Sequence, residues 1–185
     1  MANLTPTPTL GGYDQSFGDL RLRECTELEM VSLAIPLDGL QAAEKAVKSA
    51  YKLDMPEPGQ SSASKTHRLI RISPDQAMLV FEHAGADAAQ KVNEALKGAV
   101  YTTLQTDAWV ALTLSGATAR AALERLCPLD LHDGAFPVDS AARTVMEHMG
   151  AMIVRDGTDS FTLMSASSSA GSFLHAIETS IAYTS

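Results

Sequence analysis

Only two cysteines, Cys25 and Cys127, occur in the 185 residues. They lie far apart, match no Cys-x-x-Cys spacing and are too few to staple a small secreted domain, so a reduced, cytoplasmic chain is expected. Aromatic residues are scarce at 5%, which leaves Leu, Val, Ile, Ala and Met to build the core. Positive charge is also short. Fourteen Lys plus Arg against 22 Asp plus Glu leave a net charge of -8, which removes any general attraction to nucleic acid or to an anionic membrane surface. No apolar run approaches the roughly 20 residues that span a bilayer, and no basic segment followed by an apolar stretch opens the chain. The expectation is a protein that is neither exported nor anchored, with no nucleic acid and no membrane among its partners.

Site chemistry is equally sparse. There is no Gly-x-Gly-x-x-Gly, no Walker-type loop and no His-Glu-x-x-His. The five histidines, His67, His83, His132, His148 and His175, are scattered without ligand spacing and read as surface or structurally satisfied residues. Glu147-His148 and Asp130-x-His132 are weak acid–base signals, because adjacent strand residues face opposite ways and an i, i+2 pair is common by chance. Cys127 sits near the C-terminal end of a predicted helix, where the negative end of the dipole disfavours a thiolate, so it reads as a small buried apolar residue rather than a nucleophile. The eight methionines show no Met-x-x-Met cluster and read as core and edge residues.

What the sequence does contain is a globular pattern, 45% hydrophobic and 19% charged, of a length that suits one compact domain or two small subdomains. Residues 1–19, with Thr-Pro repeats, Gly11-Gly12 and Gly18, read as a flexible arm. Residues 20–185 read as a single domain with halves at about 20–105 and 106–185. In the first half, Leu20–Arg23 and Leu28–Ile35 read as strands, and the spacing of Leu40, Ala43, Val47 and Ala50 predicts a helix ending near Lys52. Residues 55–64, rich in Pro, Gly and Ser, read as a flexible loop. His67–Ile72 and Gln76–Glu82 form a predicted hairpin, Asp87 is placed to cap a helix that Gly98 ends, and Tyr101–Gln105 reads as a strand. The order β-α-β-β-α-β predicts a ferredoxin-like sheet with helices on one face, hence an α+β fold. The second half looks similar: a strand over 109–114, a turn at Ser115-Gly116, a helix carrying Ala119, Ala122, Leu123 and Leu126, strands near 143–147, 151–154 and 161–166, and a last helix with Ala170, Phe173, Leu174, Ile177 and Ile181 as its apolar stripe.

The segment Leu114-Ser115-Gly116, Ala119-Arg120, Leu126-Cys127-Pro128-Leu129-Asp130-Leu131-His132 and Phe136-Pro137 resembles the signature stretch of the sarcosine oxidase gamma subunit family. Ser73-Pro74-Asp75, Thr106-Asp107, Arg143-Thr144 and Ala170-Gly171-Ser172-Phe173 fall in the order that family shows, so the resemblance covers about residues 20 to 183. It implies a fold like part of the folate-binding aminomethyltransferase module, the T-protein of the glycine cleavage system. It also implies the small subunit of a heterotetrameric oxidase that demethylates sarcosine to glycine, giving hydrogen peroxide and methylene-tetrahydrofolate. FAD, FMN, NAD and tetrahydrofolate are then held by other subunits, and the partners are the alpha, beta and delta subunits. On that reading the isolated chain is not catalytic and has no cofactor-binding or metal residues of its own.

Two departures from the family pattern, Asp75-Gln76-Ala77-Met78 for Asp-Glu-Trp-Leu and Ser167-Ser168-Ser169-Ala170 for Arg-Ser-Phe-Ala, suggest a divergent branch. Its complex would act on another N-methylated amine, as a related N-methyl amino acid dehydrogenase does. The motif residues Ser115, Gly116, Arg120, Cys127, Pro128, Leu129, Asp130, Leu131, Phe136, Arg143 and Thr144 are the candidate docking set. For the Cys127–His132 stretch two readings stand: a helix-exit lock, in which Pro128 ends the helix and Asp130 accepts bonds from the turn's amides, or a docking surface for the alpha subunit. A stand-alone folate-binding module is the alternative from a different class, and self-association of the isolated chain is a third reading.

Overall fold

A computed structural model describes residues 7–82 and 87–184. His83 and the start of the Thr-Pro run lie outside the described residues. The chain divides into two compact units that do not follow the two consecutive halves expected from sequence. One comprises residues 27–107 and 132–143, and the other residues 7–26, 108–131 and 144–184.

In the unit built on residues 27–107, β3 (Leu28–Ala34), α1 (Leu40–Tyr51), β4 (Gln60–Ala63), β5 (His67–Ser73), β6 (Gln76–Glu82), α2 (Ala88–Ala95) and β7 (Tyr101–Leu104) follow in order. The sheet runs β4-β5-β6-β3-β7, and every pair is antiparallel. Without β4 it is the split ferredoxin-like pattern expected. Val31, Leu33, Leu69, Ala77, Leu79 and Phe81 alternate onto one sheet face and pack with Ala43 and Val47 of α1 and Ala88 and Val92 of α2, so period-2 and period-3.6 patterns meet in one core.

The loop over residues 55–64 is not loose. Gln60–Ala63 pairs along the edge of β5, the Gly59 N–H donates to the Arg71 carbonyl at 2.9 Å, and the Ser61 N–H donates to the Asp139 carbonyl at 2.7 Å. Buried Arg71 donates to the Pro56 and Pro74 carbonyls, both at 3.0 Å. An open sheet edge with unpaired N–H and C=O groups recruits even a polar Gln-Ser-Ser-Ala strand. Asp87 stands at the N-cap of α2 but with φ 67° and no side-chain capping bond, so it does not act as the predicted cap. Gly98, at φ 71°, lies three residues past the last helical residue, and its N–H donates to the Asn93 carbonyl at 3.2 Å.

The other unit holds β1 (Asp14–Phe17), β2 (Leu20–Glu24), β8 (Trp109–Ser115), α3 (Ala119–Glu124), β10 (Met149–Gly157), β11 (Ser160–Ala166) and α4 (Ala170–Ala182), and its sheet also takes in β9 (Ala141–Met146). The strand order is β1-β2-β8-β11-β10-β9. Set beside the first sheet, β8, β10 and β11 take the places of β3, β5 and β6, and β9 that of β4. The place of β7 is filled by β2, which precedes the rest of its unit in sequence. Leu22, Leu114 and Phe161 line up across β2, β8 and β11 and are fully buried. This cross-strand row is why β2 belongs here rather than with residues 27–107.

Residues 14–17, expected in the arm, form β1 against β2. The fixing group is the buried Glu24 carboxylate, which accepts the N–H groups of Leu10, Gly12 and Tyr13 at 2.9, 2.8 and 3.3 Å. Gly11 and Gly12, at φ 70° and 78°, supply the left-handed turn that aims those amides at one anion. Tyr13 adds a hydroxyl bond to Glu178 at 2.5 Å; partial burial and that bond push its phenol pKa up.

Candidate functional site

β8 ends at Ser115 and the chain turns through Gly116 at φ 131°, where a Cβ would lie 2.2 Å from the Asp19 carbonyl oxygen. Only glycine fits. The Gly116 N–H donates to the Asp159 carbonyl at 2.9 Å. Asp19 closes the corner: its carboxylate accepts the Thr118 N–H at 3.0 Å and the Thr118 hydroxyl at 3.1 Å, and the Thr118 amide leads in lowering its pKa. An acceptor at the mouth of α3 is what the free amides of a helix start require. Asp19 carried no motif signal in the sequence, because it lies 99 residues from its partner.

α3 is shorter than expected, ending at Glu124, with Arg120 beside Glu124 at 3.5 Å on its partly exposed face. Leu126, Cys127 and Pro128 therefore lie beyond the helix, and Pro128 does not end it. The exit is made by the Leu126 and Cys127 N–H groups, which donate to the Leu123 carbonyl at 2.9 and 3.1 Å. These bonds take up a carbonyl that the helix end leaves open. Cys127 and Leu131 are buried, Leu129 is half-buried, and Pro128 and Asp130 are exposed. Phe136 falls in the other unit, buried behind the turn in which the Ala135 and Phe136 N–H groups donate to the His132 carbonyl at 2.9 and 2.8 Å. Arg143 is exposed, and Thr144 is half-buried on β9.

Cys127 is buried, as the sequence suggested. Burial, with a contribution from the Glu124 charge, pushes its thiol pKa above the ordinary 9.0, opposed by the Leu129 N–H. The folded protein therefore holds this proton at pH values where the unfolded chain has lost it. Stability from this group is complete below the unfolded pKa and is lost as pH rises past it. Urea midpoints from about pH 8 to pH 10 should fall less steeply for Cys127→Ala than for the parent chain; identical slopes would remove the thiol as their source. In the folded protein at neutral pH, iodoacetamide should label half-buried Cys25 before Cys127.

Among the described residues no group of three His, Cys, Asp or Glu side chains is placed to hold a metal ion. A different feature emerges in the unit of residues 27–107: a groove of about 460 Å³ between the end of α1, the open end of the β5–β6 hairpin and α2. Three rings line it. Tyr51 and His67 have centroids 4.8 Å apart, and His67 stacks on Phe81 at 5.4 Å with planes 29° apart. Thr66, Glu82 and Lys91 supply its polar groups. The His67 Nδ1 lies 2.8 Å from the Thr66 hydroxyl, and burial lowers the pKa of the ring by disfavouring its charged form. From sequence, His67 has a structural role and Ala88, Val92 and Ala95 form the inner face of a helix; Ala88 and Val92 are buried, whereas Ala95 is exposed.

A chain of the heterotetrameric sarcosine oxidase from Corynebacterium sp. U-96, solved with pyrrole 2-carboxylate, is 20% identical at TM-score 0.78, over 92% of this chain and 88% of that one. The glycine cleavage system aminomethyltransferase T from Bartonella henselae is 16% identical at TM-score 0.62, over 93% of this chain and 56% of that protein. At such identities the likeness concerns the fold, and it bears out the aminomethyltransferase-like architecture. No curated protein sequence matches the chain significantly. The model of the sarcosine oxidase gamma subunit family, however, matches continuously over residues 38–182, and this chain therefore belongs to that family.

Proposed function

We propose that this chain is the gamma subunit of a heterotetrameric sarcosine oxidase-type complex, cytoplasmic, and that it serves assembly rather than catalysis. The observation that carries this reading is the family match over residues 38–182, supported by the fold shared with a chain of a heterotetrameric sarcosine oxidase. The complex would oxidise the N-methyl group of sarcosine, giving glycine, hydrogen peroxide and methylene-tetrahydrofolate. Flavins, dinucleotide and folate would reside on the alpha, beta and delta subunits. No helix among the described residues is long and apolar enough to cross a membrane.

Co-expression with candidate large subunits, pulling on a tag carried by this chain, tests the proposal. The expected product is a yellow complex that consumes sarcosine, while the chain alone is colourless and inactive. Turnover of a different N-methylated amine by the same complex would keep the subunit role and change the substrate. Recovery of this chain alone, while the large subunits fold and bind each other, would overturn the proposal; calorimetric heat with tetrahydrofolate would then favour a stand-alone folate module. Asp130→Ala in the same pull-down separates lock from docking surface: unchanged melting with loss of the large subunits assigns docking to the exposed turn at Pro128 and Asp130.

A further inference from the structure

The chain holds three Asp-Gly dipeptides, Asp38-Gly39, Asp133-Gly134 and Asp156-Gly157. In each, the glycine nitrogen has no adjoining Cβ to hinder it, so it can close on the Asp side chain to form a succinimide. The folded structure treats the three differently. The Gly39 N–H donates to the Pro36 carbonyl at 2.8 Å, an oxygen too weakly basic to take its proton. The Asp156 carboxylate is engaged at the β10–β11 hairpin, where it accepts the Thr162 hydroxyl at 2.6 Å. The Gly134 N–H instead donates to an imidazole, the Nδ1 of His132, at 3.2 Å. That separation is within the reach of about 2.6–3.2 Å over which a side chain takes a proton. The bond also fixes the tautomer: Nδ1 presents its lone pair, and the ring proton sits on Nε2. His132, Asp133 and Gly134 are all exposed, so water has access to the dipeptide.

We propose that Asp133-Gly134 is a self-modifying site, at which His132 acts as the base that converts Asp133 to isoaspartate. From the protonated Asp133 carboxyl, the Gly134 nitrogen attacks Cγ as its proton passes to His132 Nδ1. The ring returns that proton to a hydroxyl on the tetrahedral carbon, and water leaves. A C–N bond forms, a C–O bond breaks, and nothing is oxidised or reduced. Water then opens the succinimide. Attack at the main-chain carbonyl breaks the original peptide bond and leaves isoaspartate, whereas attack at Cγ restores aspartate. Isoaspartate adds its Cβ to the main chain inside the turn closed by the Ala135 and Phe136 N–H groups, which donate to the His132 carbonyl at 2.9 and 2.8 Å. The modification therefore lengthens the turn that seats buried Phe136. This chemistry is intrinsic to the chain and does not depend on the subunit role.

The test is ageing of the purified full chain at neutral pH, read by peptide mapping and by labelling with an isoaspartyl methyltransferase. Isoaspartate is expected at residue 133 ahead of residues 38 and 156, and the modified fraction should melt below the parent. His132→Phe keeps a ring at this exposed position but removes the base. It should slow the reaction at residue 133 by about tenfold, short of what a general base supplies in an enclosed active site, and leave the other two sites unchanged. A substitution that merely loosened the turn would speed the reaction instead. Gly134→Ala, whose Cβ would rest in ordinary contact 3.5 Å from His132 Nδ1, should suppress the product by hindering the attacking nitrogen. In urea the difference between parent and His132→Phe should vanish, because the folded turn makes the bond. Equal accumulation at every Asp-Gly, an unchanged or faster rate in His132→Phe, undiminished product in Gly134→Ala, or a difference that persists in urea would each overturn the proposal.

Discussion

Gly116→Ala is expected to lower the melting temperature by about 6–12 °C, the equivalent of about 3 kcal/mol in a chain of this length. A methyl group at this position would stand 2.2 Å from the Asp19 carbonyl oxygen and 3.0 Å from the Leu20 Cα. Both are backbone atoms of the chain entering β2, so neither can swing aside as a flexible side chain would. The φ of 131° adds strain for any L side chain. Relief requires β2 to move away from β8, to which it is bonded from Arg21 to Glu24. The contrasting substitution is Gly171→Ala. Gly171 is exposed on α4 with nothing near its absent Cβ, and there alanine should stabilise by about 0.5–1 kcal/mol through its helix propensity. Thermal melts followed by circular dichroism check both; a Gly116→Ala protein that melts with the parent would show that β2 can yield at this corner.

Phe173→Ala should cost about 3–5 kcal/mol, or roughly 6–20 °C in melting temperature. Phe173 is fully buried and shares its stripe on α4 with Ala170, Ile177 and Ile181. The same helix is tied to α3 through the Ser180 hydroxyl, which donates to the Ala122 carbonyl at 2.7 Å. Removing the ring leaves a cavity that this linkage keeps from collapsing, which places the loss toward the upper part of the range. Phe173→Leu keeps most of the volume and should lose only about 1 kcal/mol. Guanidinium unfolding at constant slope measures the difference; equal midpoints for the alanine and leucine variants would contradict the packing account. The order Ala170-Gly171-Ser172-Phe173 is thereby explained by burial: its first and last residues point into the core, while Gly171 and Ser172 are exposed.

Elements whose side chains alternate or repeat against a core were legible from sequence, because one residue's burial predicts that of its neighbours two or three to four positions away. α4 was of this kind, β3 and β8 were so in part, and β6 was legible instead as an unbroken apolar run between Gln76 and Glu82. β1 and β4, reading Asp-Gln-Ser-Phe and Gln-Ser-Ser-Ala, have no such pattern. They exist because β2 and β5 present open edges, and an edge is a property of the assembled sheet.

The groove was hidden for a sharper reason. Counting back along the β5–β6 hairpin from the Ser73–Gln76 pair places His67 opposite Glu82, but the bulge between Arg71 and Ser73 moves it opposite Phe81. A one-residue shift of register turns a ring away from a ring or toward it. Nothing in the Arg71-Ile72-Ser73 sequence announces that shift. The family-like turn at Cys127–Leu131 was legible in its burial, since Leu131 faces inward and Pro128 outward. The end of its helix was not, because exit bonds to one carbonyl depend on backbone geometry rather than on residue type.

That β1 and β2 belong to a sheet whose remaining strands lie far downstream imposes an order on synthesis. When the β1–β2 hairpin leaves the ribosome, the strand it must join, starting at Trp109, has not been made. At about 5–20 residues per second, the hairpin waits several seconds with Leu20 and Leu22 unsheltered. Over that interval all five strands from β3 to β7 emerge and can close on themselves. The nascent chain thus builds the β4-β5-β6-β3-β7 sheet while the other sheet still lacks every strand but its first two.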